Sequence, residues 1–158
     1  MNRGRVQLDA AIAYTLREEQ ARAVRDTKTY YQSHPGGEYL WNAKPRFGKT
    51  LSVYDFCKQV DAQTVLIVTN RPAIANSWCS DYVRFLGMES GYLFVSHVDA
   101  LAGQPHVLDE QGYLDAAAQG EKLYKRIEFV SLQDMKGSKY FGGEYDKLRH
   151  LTELNWDV

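Results

Sequence analysis

Eight residues, Ala43-Lys44-Pro45-Arg46-Phe47-Gly48-Lys49-Thr50, restrict what this chain can fold into more than any other stretch. They fit the pattern of Ala or Gly, any four residues, then Gly-Lys-Thr or Gly-Lys-Ser, the signature of a phosphate-binding loop. Its physical basis is a loop that closes at a helix N-terminus. Several backbone N–H groups converge there on one hollow, and the helix dipole favours an anion in it. Gly48 lets the backbone approach a phosphate, Lys49 can reach the β- and γ-phosphates as a point charge, and the Thr50 hydroxyl can ligate a bridging Mg2+. Average residue frequencies give roughly a one per cent chance of the bare pattern in a chain of this length. The flanks suit the mechanism too: the apolar run 39–42 predicts a strand before the loop, and the apolar spacing of residues 51–57 predicts a helix after it. The competing reading is an ordinary strand-to-helix turn with a solvated lysine. One departure stands out, since residues 44–47 are bulky and Pro45 is restricted in φ, where such loops are ordinarily glycine-rich.

A length of 158 residues suits one domain, and 44% hydrophobic with 25% charged residues is ordinary for a globular chain. The net charge of -1 excludes a uniformly basic nucleic-acid binder but not a local basic groove. No apolar run is long enough to cross a bilayer, and no apolar core of signal-peptide type follows Arg3 and Arg5, so a cytoplasmic location without a membrane partner is expected. Cys57 and Cys79 stand alone in helix-like apolar patterns, which predicts two reduced packing cysteines. His97, His106 and His150 are scattered, and a metal site built from them is not expected.

In chain order, residues 1–13 read as an N-terminal arm and 14–158 as one partial domain. Thr15 is an N-cap candidate with Glu18 in capping-box position, opening a helix that runs to about residue 31. The turn-rich run 33–37 ends it. Residues 64–69 form an unbroken apolar and β-branched run without alternation, the mark of a strand buried on both faces and hence of a parallel sheet. Helical spacing follows over 73–86, a strand over 92–95, helix-forming composition over 113–124, and a fourth strand over 127–130. Residues 137–143 predict a flexible loop, and Leu148, Leu151 and Leu154 predict one face of a helix over 145–154. Residues 155–158 look like the start of a further strand.

Taken together, Leu16-Arg17-Glu18-Glu19-Gln20, the phosphate-loop pattern, Val65-Leu66-Ile67-Val68-Thr69-Asn70-Arg71-Pro72 and Phe129-Val130-Ser131-Leu132-Gln133 resemble the first RecA-like domain of superfamily 2 helicases and translocases of the DEAD/DEAH-like kind, in particular the Res subunit of type III restriction enzymes. The resemblance implies an α/β P-loop NTPase fold of RecA-like type, three layers around a mostly parallel sheet, cut off before the Walker B strand is complete. It implies ATP and Mg2+ as cofactors. Pro45, Arg46, Phe47, Gly48, Lys49, Thr50 and Leu51 would wrap the phosphates, with Lys49 and Thr50 in the catalytic roles and Thr50 on the metal. Gln20, flanked by Arg17 and Tyr14, would read adenine, whose donor and acceptor edge an amide can match. Asn70, Arg71 and Ser131 would lie along a nucleic acid, DNA in preference to RNA.

The pattern breaks at the C-terminus, where the family continues into an acidic strand end that holds Mg2+ and orients water. Asp157 is at the wrong end of its strand for that role. The resemblance therefore implies the N-terminal part of an ATP-dependent helicase or translocase, of a restriction or DNA-repair system, whose second RecA-like domain belongs to the same parent chain. Nucleotide binding by these residues alone is expected to be weak or absent, and hydrolysis negligible. Two other classes fit the loop: a P-loop kinase, for which no arginine-rich lid is evident, and a non-catalytic interaction domain with a vestigial loop.

Overall fold

The computed structural model describes residues 11–120 and 123–158, so most of the expected arm lies outside the described residues. Four strands, β1 (Thr64–Thr69), β2 (Tyr92–Ser96), β3 (Val107–Leu108) and β4 (Lys125–Ser131), form one sheet in the order β1-β4-β2-β3. Every pairing is parallel, as the unbroken apolar runs predict. Six α-helices are described: α1 (Glu18–Ser33), α2 (Lys49–Gln59), α3 (Ala75–Phe85), α4 (Glu110–Gln119), α5 (Leu132–Gly137) and α6 (His150–Glu153).

The two faces of the sheet differ. On one, Val65, Ile67, Tyr92, Phe94, Ile127 and Phe129 join Val24 of α1, Tyr54, Phe56 and Cys57 of α2 and Cys79 and Tyr82 of α3 in a single apolar core. Burying three tyrosines there is tolerated because each hydroxyl finds a carbonyl. Tyr82 donates to Tyr92 O at 2.6 Å, Tyr92 to Ala62 O at 2.7 Å and Tyr54 to Trp78 O at 2.8 Å. On the other face Val130, Leu148 and Leu151 make a smaller cluster with Leu66, Met135 and Trp156. Both cysteines are free and buried, and burial pushes the Cys57 thiol up to about 12. The result is a small α/β domain with helices on both sides of a parallel sheet. No helix among the described residues is long and apolar enough to cross a membrane.

Several elements depart from expectation. Residues 39–42 form no strand: they have no ladder partner among the described residues, and a strand exists only where a neighbour takes its N–H and C=O groups. Trp41 is instead tied to α1, its indole N–H donating to Thr27 Oγ1 at 2.6 Å, while Leu40 stays 88% exposed. The N-cap of α1 is Arg17 rather than Thr15, because the Gln20 side chain accepts from the Arg17 N–H at 2.9 Å. The helix expected over 113–124 starts earlier, capped by Asp109, whose carboxylate accepts from Gly112 N at 2.7 Å. The helix expected over 145–154 shrinks to the four residues of α6, since Leu148 has a left-handed φ of 61 that no helix accommodates. Residues 137–143 are not a slack loop; Ser138 is fully buried, donates to Lys147 O at 2.6 Å and caps a short 3-10 turn. Residues 157–158 do begin a further parallel pairing, on the outer edge of β1: Val158 N donates to Thr64 O, and Val158 O accepts from Leu66 N at 2.9 Å.

Candidate phosphate-binding site

The loop before α2 adopts the backbone that an anion site needs. Gly48 lies in the left-handed region with φ 83 and ψ 48, immediately before the right-handed residues of α2. This left-to-right sequence turns successive N–H groups into a nest. The backbone N–H groups of Gly48, Lys49, Thr50 and Leu51 donate to no acceptor among the described residues, and Ser52 is the first whose N–H does, to Gly48 O at 3.1 Å. The Ser52 hydroxyl adds a second bond to the same carbonyl at 2.9 Å and anchors the turn. Lys49 is exposed and makes no ion pair among the described residues. Thr50 is half-buried one residue further on.

The bulky segment before Gly48 is accommodated by a second left-handed residue, Arg46, with φ 64. A non-glycine residue in that region costs about 1–2 kcal/mol, and α1 supplies what holds it. Gln20 donates from Nε2 to Phe47 O at 2.8 Å, and Arg17 donates from Nη2 to Phe47 O at 2.6 Å and to Arg46 O at 3.1 Å. Gly48 is fixed by contact as well as by φ, since a Cβ there would stand 2.4 Å from Gln20 Nε2. Gln20 is thus a buried brace between α1 and the loop, with both ends of its amide engaged. One N–H and one oxygen lone pair of that amide remain. Beside the loop, a cleft of about 650 Å3 lies between α1 and residues 39–47, with Arg17, Arg22, Lys44 and Arg46 among its walls. The nest residues Gly48, Lys49 and Thr50 are outside its lining.

The remaining expected site residues are not gathered here. Tyr14 packs against the middle of α2 instead of the loop: its hydroxyl donates to Asp55 Oδ1 at 2.8 Å and its ring stands edge-on to Phe85. Burial first, then the Asp55 contact, raises its pKa well above the usual phenol value. Asn70 and Arg71 are exposed at the carboxyl end of β1, on the sheet edge where open parallel sheets bind ligands. Ser131 is fully buried and works as the N-cap of α5, accepting from Asp134 N at 3.1 Å. Asp157 is no metal ligand; its carboxylate accepts from Gln63 N at 2.7 Å and Thr64 N at 3.2 Å and so caps the start of β1.

No family model matches the chain, and no solved structure matches it. A protein of Mycoplasma pneumoniae, provisionally named type II restriction enzyme and methyltransferase RM.MpnORF110P C-terminus, is 30% identical over 151 residues, covering 92% of this chain. The chain spans only 19% of that relative's length. This overturns the kinship expected from the motifs: the similarity leads to a protein named for type II restriction and methylation, and to a C-terminal portion, not to the N-terminal domain of a superfamily 2 helicase of the type III Res kind. The loop pattern that suggested that kinship is shared by many P-loop proteins, and it specifies a phosphate site more tightly than a lineage.

Proposed function

We propose that this chain is the nucleotide-binding part of a nucleic-acid-dependent ATPase, a translocating motor serving a DNA restriction–modification system. The observation that carries the reading is the run of four unaccepted N–H groups, Gly48 to Leu51, beneath an exposed lysine at the start of α2. In this reading the nest takes the β- and γ-phosphates of ATP, Lys49 neutralises them, and Thr50 holds Mg2+. Pro45, Arg46 and Phe47 carry the loop round the phosphates, and the free N–H and lone pair of Gln20 face the adenine edge. Exposed Asn70 and Arg71 grip a DNA backbone. The restriction relative supports the biological setting.

Thermal unfolding with Mg·ATP, Mg·GTP and Mg·AMP tests it. ATP is expected to stabilise the chain, by roughly 2.7 kcal/mol when present at a hundred times its dissociation constant. GTP should do less and AMP nothing. Equal shifts with all three would refute the reading, and a shift with none would favour the vestigial loop.

A further inference from the structure

The face of the sheet opposite the main core carries a charged seam that phosphate binding does not use. Arg126 and Glu128, two apart on β4, point to the same side. The Glu128 side chain is fully buried, and that of Arg126 is only 2% exposed. Arg126 bridges two carboxylates, the Glu110 side chain on α4 and Glu128 Oε2, the latter from Nε at 3.2 Å and Nη2 at 2.9 Å. The ring of Tyr113 lies 4.8 Å beneath its guanidinium. These bonds occupy Glu110 and one oxygen of Glu128, leaving Glu128 Oε1 aimed elsewhere. His150, opening α6, reaches that oxygen with Nε2 at 2.6 Å, and His97, just past the end of β2, completes the group. One ligand atom from each of His97, Glu128 and His150 lies within 4.8 Å of the other two. A hollow of about 490 Å3, with Glu110, Asp134, Asp146, Lys147 and Arg149 among its walls, opens beside His97 and His150.

The charges do not balance. Two carboxylates face one guanidinium, which leaves one negative charge on a seam whose innermost member is cut off from water, an arrangement that is costly without a further cation. His150 is hydrogen-bonded to the remaining Glu128 oxygen, and a ring nitrogen of His97 lies within 4.8 Å of a Glu128 carboxylate oxygen. From this geometry we infer a divalent transition-metal site, with zinc the ion whose preferences it fits: His97 and His150 nitrogens and Glu128 Oε1 as three protein ligands, and water in the fourth position. Hard ions such as Mg2+ or Ca2+ would find too few oxygens. Arg126 acts as the outer partner that fixes the Glu128 carboxylate and presents one oxygen, as metal-bound carboxylates require. Bonds of about 2.0–2.1 Å in a tetrahedron place ligand atoms roughly 3.3 Å apart, so the His150–Glu128 pair must open by under about 1 Å. The ion would tie β2, β4 and α6 together across the sheet.

The experiment is equilibrium titration of chelator-stripped protein with Zn2+, and with Co2+, whose visible spectrum reports coordination number. One equivalent is expected, with the intense absorption of tetrahedral cobalt. His97→Ala, at an exposed position, should lose the equivalent while retaining the parent far-UV spectrum. His34→Ala and His106→Ala should keep it. No stoichiometric binding by the parent would overturn the assignment and leave His150 as a hydrogen-bond partner of Glu128 alone. Binding that survives His97→Ala, or falls with His106→Ala, would overturn it equally.

Discussion

The loop at Lys49 and the seam on β4 handle charge in opposite ways. At the loop, four backbone donors and the exposed Lys49 have no partner among the described residues, as the proposed anion site would require before its ligand arrives. On the seam, every buried side-chain polar atom has a hydrogen-bond partner, as buried polar groups must, although two carboxylates share the one guanidinium. The first arrangement is cheap because water stands in for the ligand. The second contributes to the fold and is expensive to disturb. A single change should therefore cost stability at the seam and binding at the loop.

The largest effect is expected at Arg126→Ala, which leaves the fully buried Glu128 without its cation. Removing one partner of a buried pair costs about 3–5 kcal/mol, read from urea unfolding of mutant and parent. A loss below 1 kcal/mol would mean that the seam is hydrated in solution. Next is Gly48→Ala, where loop and fold meet. The left-handed φ and the approach of Gln20 Nε2 predict a loss of about 1–3 kcal/mol, together with loss of nucleotide binding. Unchanged stability would show that the loop backbone is not held as described.

The seam should also show in the acid limb of stability. Burial alone would raise the pKa of Glu110, but the hydrogen bond and charge of Arg126, with His150 and His97 adding to them, outweigh it and hold the carboxyl below its ordinary value. A group depressed in the folded state contributes stability above its unfolded pKa and loses it as pH falls through the folded one. Unfolding free energy should therefore decline below the ordinary carboxylate range, and Glu110→Gln should flatten that decline. An identical acid limb in mutant and parent would remove Glu110 from the seam. The smallest effect belongs to Arg71→Ala, exposed at the β1 end. Stability should stay within about 0.5 kcal/mol, while the salt slope of DNA affinity drops by roughly one contact.

The two regions were not equally legible in the sequence. The loop could be read because its requirements are local: Gly48, Lys49 and Thr50 act within one turn of backbone, and their order alone encodes the nest. The parallel strands were legible because an unbroken apolar run marks them, but burial on both faces holds for β2 and not for β1, an edge strand with one buried face and Val68 42% exposed. The strand expected at 39–42 failed because a strand needs a neighbour, which composition does not supply. Gln20 was readable as a candidate beside the loop, but not as the loop's brace, because its contact with Phe47 O depends on how α1 packs. The seam was hidden by sequence distance, with Glu110, Glu128 and His150 on three separate elements and His97 in the connection after β2. One signal was present: Arg126 and Glu128 two apart in an otherwise apolar strand share one buried face, which calls for partners from elsewhere.

The most direct measurement is calorimetric titration of Mg·ATP into the parent chain and Lys49→Ala, each first shown to have the same unfolding midpoint. Because Lys49 is exposed and unpaired among the described residues, its removal should leave the fold intact. The parent should bind, even if weakly, and the mutant should give no heat beyond dilution. Equal binding by both proteins would contradict a phosphate site at the start of α2.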